Sequence, residues 1–190
     1  MAKVLMLIGD GGESLEIMYP YQRLLEAGHE VTIAAPSAKK IQTVVHDFEE
    51  GFDTYTEKPG YLVQADVAFS DIDPEDYDAL LIPGGRAPEY IRNDEDVKRI
   101  VRHFFEEDVP VAAICHAPLI LANAGVVEGR SMAAYPALQP DVEVAGGTFV
   151  DREAVVDGKL VSSRAWPDHP GFMREFLKML EGVREESAVS

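Results

Sequence analysis

Residues 111–118, Val-Ala-Ala-Ile-Cys-His-Ala-Pro, are the stretch that decides the fold. Four apolar residues, typical of a buried parallel strand, end at Cys115. A helix start follows at once, because Pro118 stands where a first helical turn tolerates proline. Ala113 and Ala117 are small enough for a tight turn between them. The pattern predicts a nucleophile elbow, the sharp strand-to-helix turn that raises one side chain above a sheet.

Outward from this elbow, predicted strands and helices alternate along most of the chain. Helices are expected from Leu15, from Asp94, after the elbow and from Asp168, the last of them ending at Gly182. The order predicts an α/β fold with a mostly parallel central sheet and helices on both faces. Strands are expected at Lys3–Ile8, Glu30–Ala35, Ala79–Ile82 and Val111–Ile114, and Asp157-Gly158 predicts a hairpin that joins Ala154–Val156 to Leu160–Ser163.

The segment from Ser37 to Asp78 has the least regular pattern. Short antiparallel strands are expected there, at Tyr61–Val63 and Asp66–Phe69. The alternating elements on either side predict one domain over residues 1–182. The last residues, 183–190, are polar and are expected to form a tail.

Composition narrows the classes of function. The 190 residues are 46% hydrophobic and 27% charged, with a net charge of −17 from 34 acidic and 17 basic residues. Such acidity disfavours nucleic-acid binding. No apolar run is long enough for a membrane span, and the apolar start is too short for a signal peptide. A single cysteine permits no internal disulfide, which favours a cytoplasmic location.

Cys115 is the first candidate for chemistry. A cysteine at a helix N-terminus meets backbone N–H groups and a dipole that favour the thiolate. The alternative is a buried cysteine that packs as a small hydrophobic residue. His116 is next to it, either for proton transfer or as a structural histidine of the following helix.

Two further loops begin at the same edge of the predicted sheet, each after a strand that ends there. Glu13 and Glu16 follow the first strand, and a protonated glutamic acid there could donate a hydrogen bond to a thiolate. The alternative is that both are ordinary acids of a helix N-terminus. Gly84 and Gly85 leave backbone N–H groups open, as an oxyanion hole requires, although a plain turn has the same sequence. No spacing fits zinc or a dinucleotide loop, so no metal or cofactor is expected.

The chain resembles the ThiJ/PfpI superfamily, specifically its intracellular protease I branch, over nearly its whole length. The resemblance implies a flavodoxin-like three-layer sandwich and activity without a cofactor. It is carried by Ile-Met-Tyr-Pro-Tyr-Gln-Arg-Leu at 17–24, Pro-Gly-Gly-Arg-Ala-Pro-Glu at 83–89, Ala-Ile-Cys-His-Ala-Pro at 113–118 and Met-Arg-Glu-Phe at 173–176.

The resemblance also implies a site. Cys115 would be the nucleophile, with His116 beside it, and Glu13 would hydrogen-bond the thiol. Glu89 would reach across a subunit interface to His116 of a neighbour, which implies a homo-oligomer, either a dimer or a hexamer. The N–H groups of Gly85 and His116 would form the oxyanion hole.

Three functions follow as hypotheses. The first is a glyoxalase or deglycase that protects against stress by acting on small reactive aldehydes, such as methylglyoxal, or on glycated substrates. The others are an intracellular cysteine peptidase and a non-enzymatic oxidation sensor or chaperone. A glutamine amidotransferase is excluded, because Gly171 stands two places after His169, where that class needs glutamate. The linker between Pro36 and Tyr61 is longer than the branch leads us to expect, and residues 41–58 within it are interpreted as an insertion.

Overall fold

A seven-stranded sheet forms the centre of the protein in a computed structural model that describes the backbone of residues 1–189 and the side chains of residues 1–183. The side chains of the predicted polar tail beyond residue 183 lie outside the described residues. The strands are β1 Lys3–Leu7, β2 Glu30–Ala35, β3 Lys40–Asp47, β4 Thr56–Gln64, β5 Val67–Ala68, β6 Ala79–Ile82, β7 Val111–Ile114, β8 Ser131–Met132, β9 Thr148–Phe149, β10 Val155–Asp157 and β11 Leu160–Ser163. The helices are α1 Ser14–Glu26, α2 Ala87–Ile91, α3 Glu95–Glu106, α4 Pro118–Ala124, α5 Gln139–Val144 and α6 His169–Val189.

The sheet is parallel except at one edge. Its strand order is β10-β11-β7-β6-β1-β2-β5, and only β10 pairs antiparallel, through the predicted hairpin at Asp157-Gly158. The register aligns Met6 of β1 with Leu81 of β6, and Leu81 with Ala112 of β7. These three central strands therefore end at the same edge of the sheet, which is where ligands bind in open α/β sheets.

Helices cover both faces, which confirms the three-layer sandwich. On one face the buried side chains of β1, β6 and β7 pack against α3 and α4, with Phe104 at 0% exposure. On the other face they pack against α1 and α6, where Phe172 and Phe176 are also at 0%. Complete burial of such side chains stabilises the fold by about 1.5–3 kcal/mol each. Within residues 1–189, no helix is both long and apolar enough to cross a bilayer.

Two boundaries differ from the expectation. The strand expected at 66–69 is only Val67–Ala68, and it pairs parallel with β2 at the sheet edge rather than antiparallel. Gly182 does not end the last helix, since α6 continues to Val189. A glycine inside a helix costs about 1 kcal/mol relative to alanine, which weakens a helix without terminating it.

The segment interpreted as an insertion belongs to a long hairpin. Strands β3 and β4 pair antiparallel outside the main sheet, with Ile41 opposite Val63 and Asp47 opposite Thr56. The base of the hairpin bonds to the loop after β1, because Gly11 N donates to Gln42 O at 2.9 Å and Val44 N donates to Gly12 O at 2.9 Å. The hairpin is therefore fixed beside the edge of the sheet where Cys115 lies.

Candidate active site

The elbow predicted at Cys115 is present. Cys115 has φ 63°, in the left-handed region that few residues other than glycine adopt. Its backbone is held on both sides, since Cys115 N donates to Ser163 O at 3.1 Å and Tyr135 N donates to Cys115 O at 3.0 Å. Unfavourable backbone geometry that the surroundings enforce is concentrated at functional sites. The thiol is 5% exposed.

Polar groups surround the thiol. Cys115 Sγ lies 3.2 Å from His116 Nδ1. The Glu16 carboxyl hydrogen-bonds the thiol, and the backbone N–H groups of Gly85 and His116 donate to it. A proton acceptor, a carboxyl group and two N–H donors therefore meet at one sulfur, as nucleophilic catalysis requires.

Glu16, and not Glu13, is the glutamate beside the thiol, so the structure corrects the expectation for Glu13. Glu16 begins the inward-facing side of α1 and is 1% exposed. Its Oε2 accepts a hydrogen bond from Gly84 N at 2.8 Å. Burial, and then the charge of Glu13, raise the pKa of Glu16 to about 8. The Glu16 carboxyl is therefore protonated at neutral pH and can donate a hydrogen bond.

Glu13 caps the helix instead. It is the N-cap residue of α1, and its Oε2 accepts from Glu16 N at 2.8 Å. Its Oε1 accepts from His46 N at 3.4 Å. The side chain folds back toward the helix N-terminus, as N-cap residues do, so it turns away from the thiol. Glu13 thus positions Glu16 and ties the hairpin to α1.

The two reactive groups of the elbow are uncharged in this environment. Burial, and then the charge of Glu16, raise the pKa of the Cys115 thiol well above its ordinary value, while the N–H groups lower it by less. The expected lowering by the helix N-terminus is therefore wrong, because desolvation exceeds it. Burial lowers the pKa of His116 to about 4. A neutral His116 has a free ring nitrogen with which to take the thiol proton.

The site has no room for a side chain at Gly84 or Gly85. A Cβ on Gly84 would lie 3.0 Å from Cys115 Sγ and 2.5 Å from Glu16 Oε2, where no side chain can fit. Gly85 has φ +79° and would place a Cβ against the backbone of residues 11–13. Only glycine at both positions lets the loop after β6 direct the Gly84 N–H to Glu16 Oε2 and the Gly85 N–H to the sulfur.

Glu89 lies outside this cluster. It stands exposed in the first turn of α2, and its charge acts on Tyr55 and Arg86. A contact with His116 of a neighbouring subunit stays a prediction. Among the residues that the structure describes, no group of three or more His, Cys, Asp or Glu side chains is placed to hold a metal ion.

Aromatic residues from the hairpin and from two other loops also lie at the site, although the sequence did not point to them. Tyr55 packs edge-on against His116, with ring centroids 5.9 Å apart, and lies 4.3 Å from the ring of His46. Tyr135 stacks on His116 with ring centroids 5.2 Å apart and also meets Tyr55 edge-on, at 5.3 Å. Trp166 Nε1 donates to His46 O at 2.7 Å. The concentration of aromatic residues between Ser37 and Asp78 was the signal that could have identified Tyr55.

The burial of Glu16 predicts a pH dependence of stability. The pKa of Glu16 is about 8 in the folded protein, against 4.5 when exposed. Between these values the unfolded chain releases a proton that the folded chain keeps. The free energy of unfolding therefore falls as pH rises through this window, by up to about 1.4 kcal/mol per pH unit.

Urea denaturation across this window checks the expectation. Glu16→Gln should flatten the dependence of the unfolding free energy on pH, whereas the exposed Glu26→Gln should leave it as in the wild type. Equal slopes for the wild type and Glu16→Gln would show that Glu16 is ionised in the folded protein.

The chain is similar to known proteins in both sequence and fold. The sequence pattern of the DJ-1/PfpI family matches residues 2–179. The chain is 47% identical to Deglycase PH1704 of Pyrococcus horikoshii and 45% identical to Deglycase PfpI of Pyrococcus furiosus, in each case over 94% of this chain and 99% of the relative. Among solved structures, a two-domain protein from Anabaena variabilis with DJ-1/ThiJ/PfpI-like and ferritin-like domains aligns with a TM-score of 0.84 and 29% identity. That match covers 95% of this chain and 48% of the Anabaena protein, so this chain spans about half of it.

Proposed function

The chain belongs to the DJ-1/PfpI family, and from that premise we propose that it is a cysteine-dependent deglycase, which removes early carbonyl adducts from amino groups and thiols. Two relatives that match nearly end to end are named deglycases. The observation that carries the proposal is the arrangement at Cys115. Its sulfur lies 3.2 Å from a neutral imidazole nitrogen of His116 and beside the protonated Glu16 carboxyl.

The first step uses the thiol and His116. In an adduct of methylglyoxal with an amine, the aldehyde-derived carbon carries a hydroxyl group and the amine nitrogen. His116 Nδ1 takes the proton of Cys115 while the sulfur bonds to that carbon and the carbon–nitrogen bond breaks. The proton passes to the departing amine. The product is free amine and a hemithioacetal on Cys115.

The second step is an internal transfer of hydrogen. The hemithioacetal carbon loses its hydrogen and is oxidised, while the neighbouring ketone carbon gains one and is reduced, so no external oxidant is required. Glu16, with a pKa of about 8, holds or releases a proton near neutral pH and suits this transfer. The N–H groups of Gly85 and His116 suit the developing oxyanion. Water then hydrolyses the thioester, which yields lactate and restores the thiol.

The remaining proposals concern assembly and location. We propose a homo-oligomer in which Glu89 approaches His116 of a neighbour, supported by the exposed position of Glu89 at the start of α2. A cytoplasmic location is proposed from the free Cys115. The substrates would be small carbonyl adducts, with neither nucleic acid nor membrane as a partner.

Release of amine and of lactate from the same adduct tests the function. We expect the protein to free N-acetylarginine and N-acetylcysteine from their methylglyoxal adducts faster than the adducts dissociate on their own, with one lactate formed for each group freed. Amine release at the spontaneous rate, with lactate formed only from free methylglyoxal, would indicate a glyoxalase. Casein cleavage without lactate would indicate a peptidase. Absence of all three reactions would favour a non-enzymatic sensor or chaperone.

A further inference from the structure

The ring of Tyr55 packs against His116, next to the reactive thiol. It reaches the site from the hairpin of β3 and β4, and its ring centroid lies 5.9 Å from that of His116 and 5.3 Å from that of Tyr135. Cys115 and His116 are each only 5% exposed. Tyr55 and Tyr135 also line a cavity of about 410 Å³, together with residues of the hairpin loop between Phe48 and Thr54, and neither Cys115 nor His116 is among its lining residues. Tyr55 therefore borders both a space large enough for a substrate and the groups that would act on it, and of the two tyrosines that do so it is the one that the hairpin supplies.

A chain of ion pairs and hydrogen bonds fixes the hairpin in this position. Arg86 Nε, in the loop after β6, donates to Glu57 Oε2 at 2.8 Å and to Glu57 Oε1 at 3.0 Å. Glu57 Oε2 lies 2.7 Å from His46 Nε2, and the buried ring of His46 packs on Tyr55. One N–H is shared between the two carboxylate oxygens here, and its charge-assisted contacts hold Glu57 against the loop after β6. The ring of Tyr55 is thus held at the site rather than free to swing out.

We propose that Tyr55 is a specificity-determining residue, which restricts access to Cys115 to small, unbranched carbonyl groups. The proposal rests on the proposed function for the nature of the substrate, but the barrier itself acts on any molecule that approaches the sulfur. Burial raises the pKa of Tyr55 to about 12, so its hydroxyl stays neutral at the pH of the reaction. The ring therefore acts by its size.

Alkylation of the one cysteine measures this barrier without turnover. Iodoacetamide and an iodoacetamide that carries a naphthalene ring react alike, since the thiolate sulfur displaces iodide in both. The ratio of their rates at one pH cancels any change in thiol pKa and reports only access. We expect Tyr55→Ala to raise the rate of the bulky reagent relative to the small one by about tenfold or more.

Three variants complete the test. Tyr55→Phe keeps the ring and should preserve the wild-type ratio, as should Tyr61→Ala, which removes an exposed ring (71%) from the same hairpin. Tyr55→Leu, a smaller change, should give an intermediate ratio and serves if the alanine variant does not fold. A wild-type ratio in a folded Tyr55→Ala or Tyr55→Leu protein would overturn the proposal.

Turnover separates this inference from the proposed function. In Tyr55→Ala, kcat/KM for phenylglyoxal adducts should rise relative to that for methylglyoxal adducts. If neither adduct is processed by the wild type but the alkylation ratio still changes, the deglycase function fails and the role of Tyr55 stands. If adducts are processed but both ratios are unchanged, the role of Tyr55 fails and the function stands.

Discussion

Replacing Cys115 with serine should lower the turnover of methylglyoxal adducts by a factor on the order of 10³ or more. Serine keeps the shape of the side chain and can still lie near His116 Nδ1. Its hydroxyl is a far poorer nucleophile than the thiol, and a neutral His116 is too weak a base to ionise it. Lactate and amine release, measured on the same preparation, give the size of the loss.

The control for this prediction is the thermal stability of each variant. Cys115→Ser and Cys115→Ala place small side chains in the same left-handed backbone conformation, so each variant should melt within a few degrees of the wild type. A folded serine variant that retains wild-type lactate formation would show that the chemistry takes place elsewhere.

Glu16→Gln should lower kcat by about 10²–10⁴-fold. The amide occupies the same volume, and its oxygen can still accept from Gly84 N, so the loop after β6 should stay in place. The amide cannot carry the exchangeable proton of a carboxyl group, so the hydrogen transfer between the two substrate carbons loses its carrier. The measurement is single-turnover lactate formation, because amine release precedes this step and should be less affected.

Glu13→Gln is the matched control for Glu16→Gln. Both glutamates are buried in the same turn, but Glu13 caps α1 and bonds to His46 N instead of contacting the thiol. Its loss should reduce stability by about 1 kcal/mol and, because it also removes a charge that raises the pKa of Glu16, should change kcat, though by far less than Glu16→Gln does. The opposite pattern, a severe loss with Glu13→Gln and a mild one with Glu16→Gln, would restore the assignment implied by the resemblance and contradict the geometry.

Local chemistry explains why the elbow could be predicted from the sequence. The apolar run before Cys115, the small residues around it and Pro118 each favour the same strand-to-helix turn. Local preference and tertiary structure agree on this turn, whereas the left-handed backbone of Cys115 itself runs against local preference and is enforced by its surroundings. The alternation of strands and helices likewise predicted the parallel sheet, because both faces of such a sheet must be buried.

The choice between Glu13 and Glu16 could not be made in the same way. Both follow β1, which ends at Leu7, they stand only three positions apart, and a glutamate suits either position at a helix N-terminus. The exact start of α1 decides the matter. It makes Glu13 the N-cap, whose side chain folds back to the backbone, and places Glu16 on the buried side of the first turn. Helix boundaries are known from sequence only to within a few residues, which is more than the difference between these two roles.

The pKa of the thiol and the covering hairpin depend on contacts distant in sequence. A sequence shows that Cys115 precedes a helix, but it does not show how thoroughly the site is buried. The desolvation that raises the thiol pKa comes from that burial. The same holds for Tyr55, which meets His116 only because the hairpin bonds to the loop after β1 and because Glu57 pairs with Arg86.

The most direct test of the account is the loss of deglycase activity as Cys115 is alkylated. The chain contains one cysteine, so the fraction of protein that carries one carbamidomethyl group, measured by intact mass, is the fraction of Cys115 modified. We predict that amine release and lactate formation both fall in direct proportion to this fraction and vanish when modification is complete. Undiminished release of amine and lactate from fully alkylated, folded protein would contradict the central claim that Cys115 carries the reaction.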